Sequence, residues 1–98
     1  MAEKTMKIVM IKWVDAETTG DTAWQNLEEV KAEAIKTPPL MTTVGFLVHD
    51  CDTHIAVVDT YGPEDCSMMH RIPKEMVRSV SNLYTEQRVL EGEDPYGT

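Results

Sequence analysis

The chain has 98 residues, 42% of them hydrophobic and 27% charged, with few glycines or prolines, the composition of one globular domain with a single core and a shallow site. With 17 acidic residues against 9 basic ones the formal charge is -8, which repels a phosphate backbone and excludes generic DNA or RNA binding. No apolar run approaches the ~20 residues that span a bilayer, and the N-terminus lacks the apolar core of a secretory signal, so a cytoplasmic protein with Cys51 and Cys66 as free thiols is expected.

Residues 7–15 (KIVMIKWVD) are rich in β-branched and aromatic side chains and predict a first strand, with Val9, Ile11 and Trp13 on one face and Ile8 and Met10 on the other. The polar run at 16–21 ends it. Thr22 and Gln25 have capping-box spacing, and Ala23, Leu27, Val30 and Ala34 recur at intervals of three and four, which predicts an amphipathic helix over about 22–36. Pro38 and Pro39 stop it.

Residues 41–50 (MTTVGFLVHD) and 54–61 (HIAVVDTY) predict two strands of a hairpin whose tip is HDCDTH, residues 49–54. After a loop at 62–65, residues 68–72 predict a fourth strand, 73–76 a single tight turn, and 77–83 a last strand. The expected class is therefore mainly β, a β-rich α+β domain over residues 1–84. It is drawn as a small five-stranded SH3-like or Sm-like barrel with one helix inserted between strands 1 and 2, and another small α+β sheet as the alternative. Residues 85–98 set Arg88 against Glu86, Glu91, Glu93 and Asp94 and predict an acidic C-terminal tail.

The segments Lys12-Trp13-Val14-Asp15-Ala16, Trp24, Pro38-Pro39-Leu40, Thr43-Val44-Gly45-Phe46-Leu47-Val48 and Ile72-Pro73-Lys74 together resemble a group of short bacteriophage-encoded proteins. The resemblance covers about residues 6–84. It implies a phage product acting in the cytoplasm of an infected bacterium, of a size class that often assembles as rings or acts against host immunity, and it supplies no catalytic residues.

HDCDTH crowds five potential metal ligands into six residues. If the hairpin turned over residues 50–53, His49 and His54 would face each other with Cβ atoms roughly 4.5–5.5 Å apart, and Cys51 or Asp52 could add a donor. The spacing matches no common zinc pattern, a ligand in the turn would have to fold back over its own strands, and Asp50 and Asp52 are ordinary turn residues. The balance falls on a polar turn, with no metal assigned and His49 and His54 as the weaker metal candidates. Cys66 and His70, four positions apart on a strand, would lie about 13 Å apart, too far for a nucleophile and its base. No glycine-rich phosphate loop is present.

Trp13, Asp15 and Trp24 are the sharper candidates for ligand binding. Two indoles could clamp a planar group while the carboxylate accepts from a hydroxyl or amine. The plainer reading buries both rings and leaves Asp15 to cap a turn. His70, Arg71, Lys74 and Arg78 form the one basic cluster, suited to a phosphate, to an acidic patch on a neighbouring copy, or to nothing beyond solvation. Met6, Met10, Met41, Met68, Met69 and Met76 fit core or subunit packing, and pairing of the fourth strand with a neighbour's fifth would close edges into a ring.

These readings add up to a non-enzymatic, homo-oligomeric phage-type binding protein, needing no cofactor, that sequesters a nucleotide-derived small molecule in a counter-defence role. A structural or protein-interaction module that binds a host or virion protein is one alternative. A small metal-dependent enzyme using His49, His54 and an aspartate is another.

Overall fold

The computed structural model describes residues 5–88 and 90, and over that span the protein is mainly β, with five antiparallel strands in one sheet and one helix between the first two. The strands are β1 (Ile8–Val14), β2 (Leu40–Asp50), β3 (His54–Val58), β4 (Met69–Pro73) and β5 (Val77–Leu83), in the order β4-β3-β2-β1-β5. A single 3-10 turn, Lys74–Met76, carries the chain from β4 to β5. Those two strands are the edges of the sheet and no described ladder joins them, so the expected barrel is not closed by hydrogen bonds within the sheet.

Alternation along the strands separates two faces. Val9 and Ile11 of β1, Ile55 and Val57 of β3 and Ile72 of β4 form the buried cluster, with Trp13, Leu47, Met76 and Val77 packed against it. Burying each of these aliphatic side chains contributes about 1.5–3 kcal/mol. Gly45 sits where β2 crosses this core: a Cβ there would lie 2.9 Å from Val57 Cβ and 3.0 Å from the Val58 carbonyl oxygen, so only glycine fits without a shift.

The opposite face carries an unbroken apolar row. Leu83 pairs with Ile8, Ile8 with Phe46, Phe46 with Val58 and Val58 with Met69, so the row crosses all five strands. Phe46 meets Tyr61 edge to face at 4.9 Å, and Val58 in the middle is buried. Leu83 and Met69, at the two ends, are exposed.

The helix differs from its sequence reading. α1 spans Leu27–Ala34, not 22–36, and its cap is Asn26, whose side chain accepts from the Glu29 backbone N–H at 3.0 Å. Thr22 is no cap: Asp21 Oδ1 takes the Ala23 N–H at 2.7 Å and holds that stretch in a turn. The apolar residues expected to face the core do not reach it, since no residue of α1 is buried. No helix among the described residues is long and apolar enough to cross a membrane.

β3 also stops three residues short of expectation. The Asp59 and Thr60 N–H groups donate to Ser67 Oγ at 3.0 and 2.9 Å, which turns the chain out of the ladder toward the isolated Tyr61–Cys66 bridge. Of the expected acidic tail, residues 85–88 and 90 lie outside any helix or strand, and the rest falls outside the described residues.

Candidate functional site

The tip of the β2–β3 hairpin is built by a shift in register. Leu47 pairs with Val57, but His49 pairs with Ala56 and Asp50 with Ile55, so an irregularity falls between Leu47 and His49. Such a bulge changes which way the following residues point. Asp50 turns to the core side, where its Oδ1 meets Lys74 Nζ at 2.6 Å, and His49 and Cys51 move together to the other face.

The loop beyond is two residues long. Cys51 N–H donates to the His54 carbonyl at 3.1 Å, placing Cys51 rather than His49 directly across from His54. The sequence reading, with the two histidines opposed, is corrected accordingly, yet the rings still come within 5.2 Å centre to centre. From the side, the Lys74 N–H donates to the Thr53 carbonyl at 2.9 Å, so the 3-10 turn ties down the tip through both backbone and ion pair.

Three donor atoms therefore meet on one face: one atom each of His49, Cys51 and His54, all within 4.8 Å of one another. Cys51 Sγ lies 3.4 Å from Thr53 Oγ1 and 3.6 Å from His54 Nδ1, and Thr53 Oγ1 shares a 2.8 Å hydrogen bond with the same Nδ1. The hydrogen bond from the Thr53 side chain, helped by backbone hydrogen bonds of Thr53 and His54 and by His49, lowers the Cys51 thiol from 9.0 to about 6 against the opposing effect of burial. That shift favours the thiolate, the form that binds metals and attacks electrophiles. The sequence reading puts Cys51 inside the turn, as an optional donor beside Asp52; the register shift that brings His49, Cys51 and His54 to one face has no signal in the sequence.

The other candidates are dispersed. Trp13 is half-buried in β1, packs on the core and donates its Nε1–H to Thr43 Oγ1 at 2.9 Å. Asp15 lies just past the end of β1. Trp24 lies before α1, not within it, and is fully exposed. Among the described residues the indoles form no ring pair with each other.

The basic cluster divides likewise. His70 and Arg71 are consecutive in β4, paired with Val57 and Ala56, and so project to opposite faces. Lys74 is engaged by Asp50, and Arg78 donates to the Glu75 carbonyl at 3.0 Å. A cleft of about 380 Å³ beside α1 is lined by that helix and its own flanking segments, including Glu17, Gln25, Glu29 and Glu33, and none of the candidate residues named above lines it.

Comparison with protein families, with curated proteins and with solved structures finds no match to this chain.

Proposed function

We propose that the protein is a non-enzymatic binding module that works as a homo-oligomer, its copies joined head to tail by the β4 edge of one and the β5 edge of the next. The observation that carries this reading is a pair of edges that no strand among the described residues pairs, with an apolar row running between them. An exposed edge presents free N–H and C=O groups that favour pairing with another strand. Docking β4 on a neighbour's β5 would satisfy both and continue the row from Met69 of one copy to Leu83 of the next. Heterologous contacts of this kind close into rings when the rotation permits.

In this reading the assembly acts in the cytoplasm of an infected bacterium, as the resemblance implies, and presents the segments around α1 as its binding elements. Trp24 favours a small planar ligand: a free indole stacks a nucleobase for about 1–3 kcal/mol. Trp13 is committed to Thr43 and the core, so the second wall of such a clamp comes from a neighbouring copy. The same exposed ring serves equally as an anchor for a host protein, since tryptophan is enriched among residues that dominate interfaces.

Native mass spectrometry of the full chain tests the assembly. The expected result is a discrete multimer that Met69→Lys and Leu83→Lys each convert to a folded monomer, while Trp24→Ala keeps the multimer and loses any co-purifying ligand. A wild-type protein that stays monomeric across the concentration range overturns the reading.

A further inference from the structure

We propose that the tip of the β2–β3 hairpin is a transition-metal site in which His49, Cys51 and His54 bind one Zn²⁺ per chain and leave one coordination position open. The argument is geometric and does not depend on the oligomer proposed above.

With zinc–sulfur and zinc–nitrogen bonds of about 2.3 and 2.0–2.1 Å, a tetrahedral ion separates a sulfur from a nitrogen ligand by about 3.6 Å and two nitrogens by about 3.4 Å. Cys51 Sγ and His54 Nδ1 stand 3.6 Å apart, already at the first of these spans. One ring nitrogen of His49 lies within 4.8 Å of the Cys51 sulfur and of a ring nitrogen of His54, so rotation of an exposed side chain completes a three-sided shell. The hydrogen bond between Thr53 and His54 Nδ1 yields to the metal by rotation of the threonine hydroxyl.

The backbone beneath these side chains is fixed. Cys51 N–H on the His54 carbonyl closes the loop, and Lys74 N–H on the Thr53 carbonyl holds it from the side. Among the described residues the one cation bonded to the tip, Lys74, is paired with Asp50, which offsets its charge. Two imidazoles and a thiolate are poor ligands for calcium or magnesium, which demand oxygen, and suit a borderline or soft ion. Three protein ligands with a free position match open zinc sites, in which water or a substrate group takes the fourth place.

The test uses the reduced full chain, titrated with Zn²⁺ by calorimetry and with Co²⁺ as a spectroscopic stand-in. One Zn²⁺ per chain and a thiolate-to-cobalt charge-transfer band are expected, retained in Cys66→Ser and lost in Cys51→Ser. His49→Ala and His54→Ala should each weaken Zn²⁺ binding by more than the ~10–100-fold typical of losing an outer partner of a ligand. His49 is exposed, so its variant keeps the fold and remains informative if a change at Cys51 or His54 does not. Zinc binding that survives Cys51→Ser unchanged, or a cobalt complex without the thiolate band, overturns the proposal. One ion per two chains overturns the single-chain site in favour of one shared between copies.

Discussion

In β3 the four consecutive residues Ile55, Ala56, Val57 and Val58 are all buried, whereas in α1, eight residues long, none is. β3 carries a continuous apolar run and α1 an amphipathic repeat of three and four. β3 is paired along both edges, by β2 and β4, and on its inner face Ile55 and Val57 pack in the core cluster with Val9, Ile11 and Ile72. Among the described residues the helix finds no such packing: Leu27, Val30 and, just past its end, Ile35 stay exposed. What keeps α1 wound is local, namely the Asn26 cap, Glu28 and Glu29 in the first turn, and the surface pairs Lys31–Glu28 and Lys36–Glu33. Exposed pairs of that kind contribute about 0.3–0.5 kcal/mol each, and helices shorter than ~12–15 residues are marginal alone in water. Amphipathic spacing permits burial; it does not supply a surface to bury against.

The largest expected effect lies on the sheet side. Ile55→Ala should lower stability by about 2–5 kcal/mol, read as a lower urea midpoint at constant slope, because it opens a cavity where strands on either side cannot collapse. A loss under about 1 kcal/mol would mean that this cluster is not the core.

A smaller effect sharpens the contrast. Asn26→Ala removes the cap bond to Glu29 and should cost the helix about 1 kcal/mol. Because α1 buries nothing, that loss should reduce helical circular dichroism while leaving the urea midpoint of the sheet in place. A matching fall in the midpoint would show that arm and sheet are coupled and sink the comparison.

The smallest effect concerns charge at the tip. The folded-state value of the Cys51 thiol is depressed from 9.0 to about 6, so its thiolate persists as pH falls from 9 and is lost through pH 6, along with whatever stability it lends. In a Cys66→Ser background, the rate of reaction with a disulfide reagent should therefore be half-maximal near pH 6. Thr53→Ala should move that midpoint upward, since the Thr53 hydroxyl is the largest cause of the shift. A half-maximal pH near 9 in the parent would show the tip hydrogen bonds to be absent in solution.

Much of this molecule is written locally. A run rich in β-branched and aromatic residues marks β1, the ligand-rich polar stretch marks the turn between β2 and β3, and Pro73 followed by a short polar run marks the 3-10 turn, because each follows from side-chain preferences over a few residues. The sequence places Trp13 on one face of a strand and leaves it between a ligand clamp and a buried ring; that its N–H is spent on Thr43 depends on the β1–β2 register. Thr22 misled because its capping spacing competes with Asp21 and Asn26 close by, and hydrogen bonds made in the folded chain decided among them.

The chain alone thus determined the number and type of its elements and the crowding of histidine and cysteine at one hairpin. Tertiary structure alone decided that β4 and β5 are the edges and that α1 buries none of its residues among those described. It also decided the face on which His49 lies, because one extra residue in a ladder reverses every side chain beyond it, and that reversal is fixed by pairing with a distant strand.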